Sequence, residues 1–82
     1  MKTQFKMNLD SLTDISNFIK ELSIKIPCDV DGIYERQIVD AKSYLGLASI
    51  SIHPVIIKIN TEDENIIKIF NDICKKYKIT EE

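Results

Sequence analysis

The chain begins with an alternation of apolar and polar residues, which is typical of a half-buried β-strand. The alternation covers residues 4–9 and places three apolar side chains on one face: Phe5, Met7 and Leu9. The next apolar positions keep the i, i+3, i+4, i+7 spacing of one helix face. They are Ile15, Phe18, Ile19 and Leu22. Asp10 or Ser11 can cap this helix at its N-terminus, and Pro27 prevents it from continuing.

The middle of the chain predicts further strands and a short helix. The predicted elements are strands at residues 26–34, 36–41 and 54–60, and a helix at residues 43–49. A turn must join the first two of these strands. Asp31-Gly32 is the local signal for that turn, and Tyr34-Glu35 is the alternative.

The last third of the chain predicts the clearest helix. Thr61 and Glu64 have the spacing of a capping box, so a helix is expected over residues 62–77. Its apolar face has five predicted members: Ile66, Ile69, Phe70, Ile73 and Tyr77.

The predicted order of elements is therefore β-α-β-β-α-β-α. Four half-buried strands and three amphipathic helices bury their apolar faces if the strands form one sheet and the helices cover one side of it. The predicted fold is α+β: an open-faced two-layer sandwich with a four-stranded antiparallel sheet and three helices on one face. At this length a single domain of residues 1–82 is expected.

Composition and charge exclude duplex nucleic acid as an expected partner. The 82 residues have a net charge of −2, with 44% hydrophobic and 29% charged residues, as is typical of a globular protein. Binding to duplex nucleic acid depends instead on neutralising phosphates with basic residues. The densest basic cluster, residues 75–78, is predicted to lie in the last turn of the final helix, where cations favour the helix dipole.

Neither a membrane nor a cofactor is expected. No apolar run approaches the ~20 residues needed to span a bilayer, and the N-terminal segment has no hydrophobic signal core, so a cytoplasmic location is predicted. Cys28 and Cys74 fall on apolar faces and are predicted to be reduced and buried. One histidine and two distant cysteines give no metal-ligand spacing.

One segment resembles a known family. Residues 42–50 are Lys-Ser-Tyr-Leu-Gly-Leu-Ala-Ser-Ile. They are similar to the Lys-Ser-(apolar)-(apolar)-Gly-(apolar)-x-Ser-(apolar) segment that enters the short second helix of HPr, the phosphocarrier of the sugar phosphotransferase system. The predicted order of elements also resembles that of HPr, so the resemblance covers nearly the whole chain and implies an HPr-like fold.

The residues with which HPr carries phosphate have no counterpart in the matching stretch. HPr holds phosphate on a histidine in a His-x-Arg-Pro context at the mouth of its first helix, where helix N–H groups and the arginine stabilise the phosphoryl group. Here Leu12 falls about where the histidine would be, and Asp14 about where the arginine would be. His53 is predicted to lie in a loop away from this helix. Ser11 and Thr13 are typical of caps, and no general base is in view for them. No enzymatic activity is therefore expected.

Ser43 and the apolar residues near it are the remaining candidates. In Gram-positive-type HPr the serine that matches Ser43 is phosphorylated by an ATP-dependent kinase, and the phosphoprotein then binds a transcription regulator. An unmodified N-cap serine is the alternative explanation for Ser43. The resemblance also implies a partly exposed docking surface, whose candidate members are Leu12, Thr13, Tyr44, Leu45 and Ala48.

Three functions follow from this resemblance. The first is a non-catalytic regulatory or protein-binding module related to the phosphoenolpyruvate-dependent sugar phosphotransferase system and controlled by phosphorylation at Ser43. Its expected partners are phosphotransferase-system components, an HPr kinase or a transcription regulator. The alternatives are an active phosphocarrier with an atypical acceptor, or a diverged interaction domain with no phosphotransferase role. The missing histidine and arginine, together with the retained Ser43 segment, favour the first.

Overall fold

The computed structural model describes residues 1–80, which form three helices and five strands. The elements are β1 (Gln4–Asn8), α1 (Leu12–Lys25), β2 (Val30–Tyr34), β3 (Gln37–Asp40), α2 (Tyr44–Ile50), β4 (Val55–Ile59), α3 (Glu64–Cys74) and β5 (Lys78–Ile79). The predicted order of the first seven elements is confirmed. The predicted domain of residues 1–82 includes residues 81 and 82, which lie outside the described range.

The strands form one antiparallel sheet in the order β3-β2-β4-β1-β5. Burial alternates along β1 and β4, because side chains of successive residues point to opposite faces of a sheet. The face covered by the helices contributes five buried aliphatic or aromatic residues from these strands: Phe5, Met7, Val55, Ile57 and Ile59. Phe18 and Leu22 of α1 and Phe70 and Ile73 of α3 close the core from the helix side. This arrangement is the predicted α+β two-layer sandwich.

The prediction of a four-stranded sheet is wrong, because residues 78–79 add a fifth strand. Met7 pairs with Ile79 and Asn8 pairs with Lys78 along the outer edge of β1. The Thr80 N–H extends this pairing by donating to the Lys6 carbonyl at 2.8 Å. Without β5, these backbone groups of β1 would form an unprotected sheet edge.

The final helix is shorter than predicted, and the set of its residues that faces the core differs from the predicted set. It begins after Asp63, whose side chain accepts hydrogen bonds from two backbone N–H groups, so the predicted capping box of Thr61 and Glu64 is not the N-terminal cap. The helix ends at Cys74, before the basic residues 75–78, so their predicted place in its last turn is also wrong. Its buried residues are Ile67, Phe70, Asn71, Ile73 and Cys74, whereas Ile69 stays partly exposed.

The turn between β2 and β3 lies at Glu35 and Arg36, which favours the alternative position over Asp31-Gly32. Tyr34 pairs with Gln37 across the turn, and Glu35 has a φ of 53°. Gly32 instead lies inside β2, directly under α2. A Cβ atom at Gly32 would lie 3.1 Å from Leu47 Cδ1. A larger residue would require the Leu47 and Val39 side chains to shift by a few tenths of an ångström, so glycine suits the close approach of the helix to the strand.

Candidate protein-binding surface

The N-terminal turn of α1, called its mouth below, is capped by a hydroxyl and flanked by carboxylates. Ser11 has an extended backbone, and its Oγ accepts a hydrogen bond from the Asp14 N–H at 3.0 Å. Asp10 and Asp14 lie on either side of this cap, and Asp10 is exposed. The N-terminus of a helix attracts anions, but two carboxylates already supply negative charge here. This site is therefore poorly suited to holding a phosphoryl group.

A groove of about 550 Å³ lies between the mouth of α1 and the end of α2. Its floor is apolar, since Leu9 and Ile15 are buried. Its rim includes Leu12 on one side and Ile52 on the other, and their side chains are 65% and 82% exposed. The remaining lining residues are Asn8, Asp10, Ser11, Ala48, Ser51 and Pro54. The groove thus has a mixed lining of apolar and polar groups, and Asp10 contributes a carboxylate to it.

The structure brings together some of the predicted surface residues. Leu12 and Ala48 line the same groove although they lie on different helices. Tyr44 and Leu45 lie one turn before Ala48 on α2, where side chains at i+3 and i+4 share a face. Leu45 is 81% exposed, and Tyr44 is also exposed. Thr13 is exposed beside Leu12 but does not line the groove.

Ile52 is the residue that sequence patterns do not single out. It belongs to the link between α2 and β4, where a lone isoleucine between two predicted elements has no period to mark its direction. The only available signal was its i+4 spacing from Ala48, which extends the apolar line of α2 past the end of the helix. We call the set Leu12, Tyr44, Leu45, Ala48 and Ile52 the α1–α2 surface.

Ser43 is the N-cap of α2, as its position in the segment suggested. Its Oγ accepts a hydrogen bond from the Gly46 N–H at 3.3 Å, and the residue is half-buried. The preceding Lys42 is held away from it, because Lys42 Nζ donates to the Ile26 carbonyl at 2.6 Å. Ser43 is followed directly by Tyr44, so it borders the α1–α2 surface.

His53 lies apart from the mouth of α1. Its ring stacks on Tyr34 with 4.4 Å between the ring centroids and an angle of 6° between the planes. The two rings line a second, smaller hollow near the β2–β3 turn, and Pro54 lines both that hollow and the groove. His53 does not line the groove beside Leu12, in agreement with its predicted place in a loop away from α1.

Shifted pKa values occur where α1 meets α3. Hydrogen bonding to Lys76 lowers the pKa of Glu21, with Lys76 Nζ 2.6 Å from Glu21 Oε1. Burial, and then the charge of Glu21, raise the pKa of Tyr77 to about 12. Burial also raises the pKa of the Cys74 thiol to about 12. The shifts of Cys74 and Tyr77 come mainly from burial near the end of α3, whereas the shift of Glu21 comes from its partly exposed pair with Lys76.

Residues 1–80 contain neither a cluster of metal-ligating side chains nor a helix that could span a membrane. No group of three or more histidine, cysteine, aspartate or glutamate side chains is placed to hold a metal ion there. Among the helices of that same range, none has the length and hydropathy to cross a membrane.

Comparison with solved structures identifies the architecture. The chain has an HPr-like fold. It is similar to the crystal structure of HPr-C-His from Thermoanaerobacter tengcongensis, with a TM-score of 0.61 and 20% sequence identity over 93% of this chain and 88% of that chain. At this identity the likeness shows the fold alone. No protein-family model and no curated protein sequence matches the chain.

Proposed function

We propose that this chain is a non-catalytic regulatory module of the HPr type, which binds a partner protein through the α1–α2 surface. The observation that supports this proposal is the exposed Leu12 at the mouth of α1, beside Asp10 and Asp14 and continuous with Ala48 and Ile52. A phosphocarrier needs a nucleophile and positive charge at this place. A docking surface needs exposed apolar side chains that a partner can cover.

The α1–α2 surface has the composition of a small protein contact. Large apolar side chains at its centre supply most of the binding free energy when a partner excludes water from them. Leu12, Leu45 and Ile52 are each well over half exposed, so their area remains available to a partner. The carboxylates of Asp10 and Asp14 at the N-terminal turn of α1 favour a partner with basic residues around its own apolar centre.

We further propose that phosphorylation of Ser43 regulates this binding. A phosphate on Ser43 Oγ would add about −1.5 to −2 charges at the N-terminus of α2. Helix N–H groups at that end would stabilise it. The same charge would lie next to Tyr44 and therefore change the electrostatic character of the surface. The proposed enzyme is an HPr kinase, and the proposed partner of the phosphorylated form is a transcription regulator or a phosphotransferase-system component.

The test is the intact mass of the protein after incubation in two parallel mixtures. One mixture contains phosphoenolpyruvate and the general phosphotransferase enzyme, and the other contains ATP and an HPr kinase. A genuine HPr serves as the control in each. We expect a gain of one phosphate in the ATP mixture only, and we expect Ser43→Ala to abolish it.

The other outcomes decide between the alternatives. A phosphate gained from phosphoenolpyruvate would contradict the non-catalytic proposal and indicate a carrier with an atypical acceptor. No gain in either mixture, with the control active, would remove the regulatory part and favour an interaction domain with no phosphotransferase role. Ser49→Ala is a matched control variant, because Ser49 is an exposed serine on the same helix.

A further inference from the structure

The sheet face that points away from the helices contains a row of apolar residues. Ile38 on β3 pairs with Ile33 on β2, and Ile33 pairs with Ile56 on β4. Ile38 is 67% exposed, and the other two are half-buried. The solvent face of an antiparallel sheet is ordinarily polar. This isoleucine row (Ile33, Ile38 and Ile56) therefore indicates a contact surface.

Charges on the same face are divided between its two halves. β2 and β3 contribute Asp31 and Asp40, which are directly opposite each other. β4 and β1 contribute Lys58 and Lys6. Asp31 accepts a hydrogen bond from Asn60 Nδ2 at 3.0 Å, and within residues 1–80 neither lysine forms an ion pair. The face thus has an acidic half and a basic half, and the boundary runs between β2 and β4.

We propose that this face binds the same face of a second copy of the chain. A two-fold axis parallel to the strands, between β2 and β4, places each half of the face on the opposite half of the other copy. Ile33 then meets Ile56 of the partner subunit, and Asp31 meets Lys58 of the partner subunit. An isologous dimer of this kind satisfies every contact twice.

The same two-fold rotation places β3 of one copy opposite β1 of the other, and these two strands are also complementary. Ile38 meets the aliphatic stem of Lys6 of the partner subunit, which can cover it while the ammonium group stays in water. Asp40 meets the neutral Gln4 of the partner subunit, because Gln4 pairs with Lys58 in the next row of the sheet. No like charges face each other. Two stacked sheets with nearly aligned strands are also a common packing geometry.

The dimer is expected to be weak and sensitive to salt. Four strands of about five residues cover roughly 20 Å by 17 Å. This footprint is small beside the ~800 Å² per partner of a standard interface. The interface is separate from the α1–α2 surface, so this inference does not depend on the proposed function.

Sedimentation equilibrium of the full chain tests the inference, at concentrations from about 10 μM to about 1 mM and at low salt. We expect the average mass to rise above the 9.5 kDa of one chain as the concentration increases. Asp31→Lys and Lys58→Asp should each weaken the dimer at least about tenfold, because like charges would then meet. An equimolar mixture of the two variants should associate again, since each variant then faces the opposite charge.

Matched variants identify the face that is used. Ile38→Thr should weaken association, whereas Leu45→Thr on α2 should leave it unchanged. A chain that stays at 9.5 kDa over the whole range would overturn the inference. It would also be overturned by a mixture of charge variants that remains monomeric, or by association that is lost with Leu45→Thr and kept with Ile38→Thr. Circular dichroism of each variant checks that the fold is kept.

Discussion

The two sides of helix α1 differ in how they meet their neighbours. Toward α3, Phe18 is fully buried and packs edge-on against Tyr77, with 5.3 Å between ring centroids. Glu21 adds an ion pair with Lys76 across the same junction. Toward α2, the first turn of α1 opens onto the groove, and Leu12 is left exposed.

This difference separates stability from recognition within a single helix. Residues toward α3 lose their contacts with water and support the fold. Residues at the mouth of α1 keep large apolar areas in water, which costs stability that a partner could recover by covering them. Substitutions on the two sides should therefore affect different measurements.

The largest expected effect is on the α3 side. Phe18→Ala should lower the free energy of unfolding by about 3–5 kcal/mol, because it removes a fully buried aromatic ring and leaves a cavity. Leu45→Ala should change it by no more than about 0.5 kcal/mol. Urea denaturation followed by circular dichroism measures both. Equal effects of the two substitutions would mean that Leu45 is part of the core in solution.

The next effect concerns binding at the α1–α2 surface. Leu45→Asn or Ile52→Asn should weaken binding to the proposed regulator by about 10- to 100-fold, because each removes apolar area from the centre of the contact. Isothermal titration calorimetry with the Ser43-phosphorylated protein measures the affinity. Ile24→Asn is the matched control, since Ile24 is also a highly exposed isoleucine and lies near the C-terminal end of α1, outside the α1–α2 surface. Unchanged affinity for the first two variants would contradict the proposed surface.

Ser43 has a proposed role in regulation, and it also caps α2, so its contribution to stability can be measured separately. Ser43→Ala should lower the free energy of unfolding by about 1 kcal/mol, because it removes the cap that accepts from the Gly46 N–H. Ser43→Asp should keep most of that stability, since aspartate also caps a helix. Thermal unfolding of the two variants provides the comparison. Equal losses for the two variants would contradict the capping explanation, because aspartate can cap a helix and alanine cannot.

The smallest effect is the pH dependence of the α1–α3 junction. The pKa of Glu21 is lowered in the folded chain from its ordinary value of 4.5, chiefly by hydrogen bonding to Lys76. Its contribution is therefore present above pH 4.5 and is lost as the pH falls through the lower folded-state pKa. Because the pair is near the surface, Glu21→Gln should cost less than about 1 kcal/mol at pH 7.

Thermal unfolding between pH 7 and pH 3 checks this sign. The difference in melting temperature between the original chain and Glu21→Gln should shrink as the solution is acidified. Glu62→Gln, in the exposed segment before α3, should show no comparable trend. A difference that grows toward low pH would contradict the ion-pair explanation.

The order of the first seven elements could be predicted because each depends on a local pattern. Periods of two and of 3.6 residues mark strands and helices wherever one face is buried. The fifth strand could not be predicted, since two residues have no period and their pairing depends on the edge that β1 leaves open. Asp31-Gly32 was a misleading turn signal for a related reason. Glycine occurs both in turns and where another element packs closely, and only the position of Leu47 shows that Gly32 is the second case.

The candidate surface was predicted in part. Leu12, Tyr44 and Leu45 are exposed as expected, and the groove shared by Leu12 and Ala48 follows from the fold. Ile52 was missed because the direction of a loop side chain is set by the tertiary structure. Whether a partner or a kinase uses these residues stays a prediction for experiment.

The position of β1 in the sheet has a consequence for biosynthesis. This strand, early in the sequence, pairs on one side with β4 and on the other with β5. A ribosome must therefore release residues 55–59, and then residues 78–79, before β1 finds its neighbours. Until then its apolar face, with Phe5 and Met7, stays without native partners. Contacts so distant in sequence slow folding, so β1 is expected to reach its native pairing only after the rest of the chain has been made.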